Sequence, residues 1–240
     1  MRAICMIGVV CLVSVPSAMA ATTYTAELVN MMADWSVPID NTDALNGKVG
    51  TVEAGGFHWA FPVEANPPAL TDGVPGVAVA SVLQDFAPGA LSLQIKYEQA
   101  EGWVPSALKE VRTFCANEGG RDGRVRQNVD VEWKDAGGVW SPLITEAITG
   151  SYYSSNHGQW GASLIRVKDD SGGMLLGGQV IHGLRFKFWL VDNTGDWFLP
   201  RWEPALNTAS IIKEMDAVVP EPAGLLLLGL GGLLLRRRTA

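Results

Sequence analysis

The sequence predicts an all-β protein built as one antiparallel β-sandwich of the jelly-roll type. Three observations favour this class. Apolar and polar residues alternate with a period of two in several segments, as on strands with one buried face. Clusters rich in glycine, asparagine and aspartate separate these segments. No series of helical segments lies between them, as the crossovers of a parallel sheet would require. An antiparallel sandwich therefore fits best.

The strand predictions follow the chain in order. The clearest apolar faces are Leu91, Leu93, Ile95 and Tyr97, then Val129, Val131 and Trp133, then Leu184, Phe186, Phe188 and Leu190. Shorter alternating segments cover residues 111–116, 143–148, 164–167 and 211–215. The sequence Asp135-Ala136-Gly137-Gly138 predicts a hairpin turn, because glycine accepts the positive φ that such turns need. Residues 26–33 form the only stretch with a helical pattern, so we expect a helix there.

Length and composition exclude several classes of protein. The chain has 240 residues, 18% of them charged and 48% apolar, unlike collagen, coiled coils or disordered chains. A body of this size buries about 70% of its unfolded surface, so it needs neither a metal nor a disulfide to form a core. Between residues 21 and 219 there are 24 acids and 14 bases. This acidic balance argues against a nucleic-acid partner, since phosphate binding needs clustered lysine and arginine.

The first twenty residues have the pattern of a signal peptide, which we expect to form a signal helix. Arg2 is followed by an apolar stretch over 3–15 and by Ala18-Met19-Ala20, a small-x-small cleavage motif. We expect cleavage between Ala20 and Ala21 and export of the chain. A buried N-terminal strand is the alternative interpretation.

The C-terminal end contains a second targeting pattern. Residues 223–235 are uncharged, and as a helix they would span about 20 Å, less than the roughly 30 Å of a bilayer core. The arginines that follow would stay on the cytoplasmic side. The pattern consists of Pro220, Glu221 and Pro222, then this short hydrophobic helix, then Arg236, Arg237 and Arg238.

This C-terminal pattern resembles the PEP-CTERM sorting signal over residues 219–238. The resemblance implies a transmembrane helix that anchors the chain transiently in the inner membrane, processing by an exosortase, and delivery to the cell surface or extracellular matrix. A plain single-pass anchor is the alternative. The predicted organisation is a signal peptide (1–20), one jelly-roll domain (21–218) and a sorting segment (219–240).

The body resembles the galactose-binding-like jelly roll, in particular discoidin domains. The motifs, in order, are PALTDG, LQDFAPGALSLQIKY, NEGGRDGRVRQNVDVEWKDAGGVWSPL, HGLRFKFWLVD and IIKEMDAV. This resemblance implies binding of polysaccharide without catalysis. It also implies a structural calcium ion held by Asp72 and Glu214, with backbone carbonyls near Pro68 and Val74. The alternative is that Asp72 caps a turn and Glu214 pairs with a base.

The nine tryptophans suggest a carbohydrate ligand, because indole rings stack on the apolar C–H faces of sugars. Trp133 is in phase with a predicted core face. Trp189 is out of phase with its neighbours, so we expect it on an exposed face or beneath the N-terminal segment. Trp197 and Trp202, with Arg201, precede the last strand and are the predicted binding rim. The alternative is that these loop tryptophans cover the ends of the core.

We assign no catalytic residue. The three histidines are scattered without zinc-ligand spacing, and no G-x-S-x-G motif occurs. Cys115, the only cysteine of the body, lies in an alternating stretch and is interpreted as a buried apolar residue. Two other functions remain open: a purely structural surface or matrix component without a small ligand, and an envelope polysaccharide hydrolase that uses a pair of carboxylates.

Overall fold

The computed structural model describes residues 21–30, 42–56, 70–71, 80–82, 92–116, 126–149, 161–191 and 210–220. Within these ranges, ten strands form two antiparallel five-stranded sheets. Sheet A has the order β1 (Thr22–Asn30), β8 (Gly161–Asp169), β5 (Glu110–Ala116), β10 (Ser210–Val218) and β3 (Ala80–Val82). Sheet B has the order β2 (Thr51–Ala54), β4 (Ser92–Tyr97), β9 (Gly183–Trp189), β6 (Asn128–Lys134) and β7 (Trp140–Ile148). The predicted all-β antiparallel sandwich is confirmed.

The chain passes repeatedly from one sheet to the other. It crosses from β4 to β5 and back to β6, and later from β7 through β8 and β9 to β10. Such switching between two sheets is the connectivity of jelly-roll and Greek-key sandwiches. Short 3₁₀ turns lie at Gln99–Glu101 and Leu175–Gly178.

The inward faces of both sheets form one core, as the alternating patterns predict. Sheet B contributes Leu93, Ile95, Val129, Val131, Leu184, Phe186 and Phe188, and sheet A contributes Val111, Cys115, Ile165, Val167, Ile212 and Met215. Each large apolar side chain stabilises the fold by about 1.5–3 kcal/mol, so these faces fix the register of their strands. The interpretation of Cys115 as a buried residue is confirmed.

The expected helix over residues 26–33 is wrong where the structure describes it. Residues 22–30 form strand β1, and all nine pair with β8, from Thr22 opposite Asp169 to Asn30 opposite Gly161. Helix propensity differs by less than about 1 kcal/mol between ordinary residues, and the continuous ladder with β8 outweighs it. Residues 31–33 lie outside the described residues.

The predicted hairpin turn at Asp135–Gly138 is confirmed, between β6 and β7. The N–H of Asp135 donates to the carbonyl of Val139 (3.0 Å), and the N–H of Gly138 donates to the carbonyl of Asp135 (3.1 Å). Gly138 has a φ of 86°, in the left-handed region that glycine adopts without strain. The turn fixes the pairing of β6 with β7, which carry part of the site described below.

A buried polar bridge joins the two sheets immediately before β6. The side chain of Gln127 accepts a hydrogen bond from the hydroxyl of Thr113 (2.6 Å) and donates to Oγ of Ser163 (2.8 Å). Thr113 and Ser163 belong to sheet A, whereas Gln127 leads into sheet B. Because buried polar groups are costly unless paired, this bridge fixes where β6 begins.

The two targeting segments lie almost entirely outside the described residues. Pro220 follows β10 and is half-buried, and the chain beyond it is not described. Within the described ranges, no helix has both the length and the apolar character needed to span a bilayer. The signal peptide, the C-terminal hydrophobic helix and the sorting motif remain predictions.

Candidate functional site

The outer face of sheet B presents a row of polar and aromatic side chains. On β9 the buried residues Phe186 and Phe188 alternate with Arg185, Lys187 and Trp189, which are half-buried and lie on the opposite face. Trp189 therefore lies on an exposed sheet face, one of the two positions that its phase predicted.

Asp130, in the middle of β6, holds one end of this face together. Its Oδ2 accepts a hydrogen bond from the indole Nε1 of Trp189 at 2.7 Å. Its Oδ1 accepts the backbone N–H of Glu146 at 2.8 Å. One carboxylate thus positions a tryptophan on β9 and a backbone segment of β7, the strands on either side of β6.

Strand β7 bulges opposite Asp130. Val129 pairs with Ala147 and Val131 pairs with Ile144, so two residues of β7 face a single residue of β6. The second of these two, Glu146, has a φ of 53°, in the left-handed region that costs a non-glycine residue about 1–2 kcal/mol. Bulges and strained residues concentrate at functional sites, where they redirect side chains. The hydrogen bond from the N–H of Glu146 to Asp130 stabilises this conformation.

These features border an open cleft of about 560 Å³ on the outer face of sheet B. Its lining residues are Asn128, Asp130, Thr145, Glu146, Trp189 and Leu190. Lys187 extends beside it, with Nζ 3.8 Å from the centroid of the Trp189 ring. The cleft combines an indole ring with a carboxylate, an amide and a hydroxyl, which can accept or donate hydrogen bonds to a hydroxyl-rich ligand.

Beyond the cleft, the outer face of sheet B carries a network of ion pairs. Arg185 donates from Nε to Glu132 at 2.5 Å, and Lys96 donates to Glu98 at 2.7 Å. Hydrogen bonds from Lys134 and from Lys96 hold the pKa of Glu98 below its usual range. Glu98 is therefore charged at neutral pH, and both Glu98 and Glu132 are already paired with bases.

A second candidate site is an acidic cluster near the C-terminal end of β10. One carboxylate oxygen from each of Asp43, Glu214 and Asp216 lies within 4.8 Å of the other two. Glu214 and Asp216 are two residues apart on β10, so they share the face opposite the core residue Met215. Asp43 is held in place through its Oδ1, which accepts the N–H groups of Leu45 (2.9 Å) and Ala217 (2.7 Å).

Burial dominates the electrostatics of this acidic cluster. It raises the pKa of Asp43 to about 6, against the opposing effect of the two backbone hydrogen bonds. Burial also raises the pKa of the Tyr97 hydroxyl, and the charges of Glu214 and Asp43 raise it further. Arg112 and Lys48 are nearby bases whose charges lower the pKa of Asp43, and Nη1 of Arg112 lies 4.0 Å from Oδ2 of Asp216. Three acids packed together with little solvent favour either protonation or a bound cation.

The donor set of the cluster fits calcium. Calcium binds carboxylate and carbonyl oxygens at 2.3–2.6 Å, so two oxygens on one ion lie at most about 5 Å apart. The oxygens of Asp43, Glu214 and Asp216 satisfy that limit. Calcium takes six to eight oxygens in all, so backbone carbonyls or water would have to complete the shell.

Only part of this cluster was predicted from the sequence. Glu214 belongs to it, whereas Asp72 lies outside the described residues. Thr71 is buried, its carbonyl accepts the N–H of Gly47 (2.7 Å), and its hydroxyl donates to the carbonyl of Lys48 (2.8 Å). Thr71, the last described residue before Asp72, therefore lies beside the turn that carries Asp43. Asp43 and Asp216 were not predicted. Asp216 lies two residues after Glu214, and Asp43 pairs with Val218, the last residue of the motif IIKEMDAV.

The predicted binding rim is untested, because Trp197, Arg201 and Trp202 lie outside the described residues, as do Pro68 and Val74. The sequence analysis did not assign a role to Asp130 or Glu146. The out-of-phase position of Trp189 was the signal that pointed to this face.

Comparison with protein-family models gives no match, and no curated protein matches the sequence. Among solved structures, the chain is similar to the family 32 carbohydrate-binding module of NanJ from Clostridium perfringens, in complex with galactose: 9% identity, 71% of this chain, 93% of that chain, TM-score 0.40. It is similar to CpGH89CBM32-5 of the same organism, in complex with GalNAc-β-1,3-galactose, with 10% identity over 72% of this chain and 96% of that chain and a TM-score of 0.43. It is also similar to the fucose binding module SpX-3 of Streptococcus pneumoniae, with 10% identity over 75% of this chain and 98% of that chain and a TM-score of 0.41.

Proposed function

We propose that this protein is a non-catalytic, exported protein that associates with extracellular polysaccharide through the cleft at Trp189. The observation that carries the proposal is the arrangement around Asp130, which orients an indole ring on one side and a strained bulge on the other. Both are held beside an open cleft lined with polar groups.

The cleft has the chemistry that sugar binding needs. Lys187 covers one face of the Trp189 ring, and the other face would offer an apolar surface for the C–H groups of a sugar ring. Asn128, Thr145 and Glu146 offer amide, hydroxyl and carboxylate groups to its hydroxyls. The strands and the bulge place these residues around the cleft before a ligand binds.

The same geometry favours binding over hydrolysis. Each oxygen of Asp130 accepts a hydrogen bond from a protein N–H group, one from Trp189 and one from Glu146. Asp130 is thereby engaged as a positioning residue. Hydrolysis of a glycosidic bond generally needs two carboxyl groups that are both directed at the bond, one of them as a proton donor.

Export and sorting form the second half of the proposal, and they rest on the sequence. The signal peptide at 1–20 would direct the chain out of the cytoplasm. The PEP-CTERM-like segment at 219–240 would hold it in the inner membrane until an exosortase processes it. The polysaccharide-binding domain would then reach the cell surface or the extracellular matrix.

Calcium would have a structural role. Asp43, Glu214 and Asp216 would hold the ion and join the turn at residues 42–47 to strand β10. Its positive charge would offset the repulsion between the three buried carboxylates. This site lies on sheet A, so calcium would stabilise the domain without taking part in contacts at the Trp189 cleft.

Affinity electrophoresis of the purified full chain tests the binding function. Native gels would contain a neutral polysaccharide (mixed-linkage β-glucan, xyloglucan, galactomannan or dextran) or an acidic one (alginate or polygalacturonate). We expect at least one polymer to retard the wild type and Trp189→Ala to abolish the retardation. Tyr24→Ala removes an exposed aromatic side chain from sheet A and is the matched control, which should be retarded as the wild type is.

Three results would contradict the proposal. If no polymer retards the wild type, the structural-component interpretation is favoured. If Trp189→Ala is retarded as strongly as the wild type, the cleft is not the binding site. Release of reducing ends from a polymer, lost in Glu146→Gln, would make the protein a hydrolase. Thermal unfolding of each variant checks that the fold is intact.

A further inference from the structure

A second tryptophan lies on the same outer face of sheet B, at the other end of β9 from the Trp189 cleft. Trp140 begins β7 and is half-buried. The guanidinium carbon of Arg185 lies 4.5 Å from the centroid of its ring, and Nζ of Lys134 lies 5.6 Å from it. Both bases belong to the outer face of sheet B, so the Trp140 ring lies on that face as well.

The spacing between the two tryptophans follows from strand geometry. The Trp140 ring packs beside Gly183, where a β-carbon would approach its Cη2 to 3.3 Å. Gly183 and Trp189 are the first and last residues of β9. Six residues at about 3.3 Å each separate the two ends by roughly 20 Å. A single sugar ring cannot contact both tryptophans, whereas an extended oligosaccharide can.

The surface between the two tryptophans is polar and electrically balanced. Its four bases are Lys96, Lys134, Arg185 and Lys187, and its four acids are Glu53, Glu98, Asp130 and Glu132. Lys96 contacts both Glu53 (3.3 Å) and Glu98 (2.7 Å), and Arg185 contacts both Glu132 (2.5 Å) and Glu53 (3.4 Å). These ion pairs and the pair of Lys134 with Glu98 join three of the four bases to three of the four acids within the surface itself.

We infer that the outer face of sheet B is one continuous binding track for an extended, uncharged polysaccharide. Its two stacking positions are the Trp189 and Trp140 rings, on the areas that the neighbouring bases leave open. This inference rests on the proposed function and specifies its ligand class. A charged polymer would have to compete with existing ion pairs and would gain little net attraction. Sugar hydroxyls do not need to break them, because a carboxylate oxygen in an ion pair keeps a lone pair that can accept a further hydrogen bond.

Removal of the second stacking position tests the track. The probes are the neutral polymer that retards the wild type most strongly and a disaccharide prepared from it. In Trp140→Leu, we expect the affinity for the polymer to fall about tenfold. The affinity for the disaccharide should stay within about twofold of the wild type, because one sugar pair occupies only the Trp189 end. Trp140→Phe keeps an aromatic face and should restore most of the polymer affinity.

The ionic-strength dependence tests the ligand class. Binding of the neutral polymer should change by less than about twofold between 0.05 and 0.5 M NaCl, since salt screens charge-driven binding and leaves stacking intact. Stronger retention by alginate or polygalacturonate, lost at 0.5 M NaCl, would overturn the assignment of an uncharged ligand. Equal polymer affinities for Trp140→Leu and the wild type would overturn the track, provided that thermal unfolding shows both proteins to be folded.

Failure of the track and failure of the proposed function give different results. If Trp189→Ala abolishes binding and Trp140→Leu does not weaken it, the cleft binds sugar by itself and only the track is wrong. If neither variant changes binding, or the wild type binds no polymer, both the proposed function and the track are wrong.

Discussion

Carboxylates occupy two regions of this molecule under opposite conditions. In the acidic cluster, Asp43 lies among other acids away from solvent, and burial raises its pKa to about 6. On the outer face of sheet B, Glu98 receives hydrogen bonds from two lysines, which lower its pKa. The same chemical group is therefore costly to ionise in one place and readily ionised in the other. This contrast is the basis for proposing a cation site in the first region and a hydrogen-bonding surface for a neutral ligand in the second.

The largest expected effect comes from neutralising the buried acid. Without calcium at pH 8, Asp43→Asn should stabilise the protein by up to about 3 kcal/mol. This value corresponds to the difference between a folded pKa of about 6 and the ordinary 3.8. Asparagine keeps the oxygen that accepts the N–H groups of Leu45 and Ala217. Urea unfolding in EDTA measures the difference.

The stabilisation by Asp43→Asn should depend on pH. Because the folded pKa of Asp43 is raised, ionised Asp43 destabilises the fold above pH 6, and this cost disappears as the pH falls from 6 towards 4. The advantage of Asp43→Asn should therefore be present at pH 8 and nearly absent at pH 4. A lower free energy of unfolding for Asp43→Asn than for the wild type at pH 8 would show that the ionised Asp43 does not destabilise the fold.

Calcium should have the next largest effect. At a concentration one hundred times its dissociation constant, an ion that binds only the folded state stabilises it by about 2.7 kcal/mol. Glu214→Gln should abolish this gain. Glu132→Gln, which alters an acid on sheet B, is the matched control and should keep it. Differential scanning calorimetry with calcium and with EDTA compares the three proteins. Equal transitions with and without calcium in the wild type would exclude the site.

A smaller effect is expected at the cleft. In Asp130→Asn, the amide can accept from only one of its two present donors, the Trp189 indole or the Glu146 backbone, so the other loses its partner. Affinity for the retained polysaccharide should fall by about 1.5 kcal/mol, roughly tenfold. Asp135→Asn is the matched control, because Asp135 also accepts a backbone N–H, from Val139, but lies in the hairpin turn. Unchanged affinity in Asp130→Asn would mean that this carboxylate does not position the site.

The smallest effect is expected for the ion pairs of the outer face. Lys96→Met removes contacts to Glu53 and Glu98, whose side chains keep 25% and 19% of their exposure. Such pairs contribute about 0.2–1 kcal/mol, and salt weakens them. Urea unfolding at 0.05 and 0.5 M NaCl should show a loss below 1 kcal/mol that shrinks at high salt. A loss above 2 kcal/mol would mean that the two regions do not differ as proposed.

The strands could be predicted from the sequence because one buried face imposes a period of two. The segments around Leu93, Val131 and Phe186 each lie on the predicted strand with the predicted face inward. Strand β1 could not be predicted, because its pattern over 26–30 is ambiguous and its state depends on pairing with β8, more than 130 residues away. Local propensity carries no information about such a partner.

The candidate sites could be predicted only in part, because backbone irregularities create them. The bulge at Glu146 and the register shift between Ile212 and Glu214 change which residues face one another. A period of two cannot anticipate an inserted residue. Trp189 was indicated because it breaks the apolar phase of β9. The contact of Asp43 with Ala217 joins residues 174 positions apart, so no local sequence motif predicts it.

The central claim is that the polysaccharide binds at Trp189. Its most direct test follows the tryptophan indole N–H signals by NMR during titration with oligosaccharides prepared from the polysaccharide that retards the wild type. The Nε1–H of Trp189 donates to Asp130 in the cleft, whereas that of Trp103 donates to the carbonyl of Ile181 in the core. Signals are assigned by single Trp→Phe variants. We predict that the Trp189 signal shifts with saturation and that the Trp103 signal stays in place. Shifts confined to Trp197 and Trp202, with Trp189 unchanged, would contradict the account.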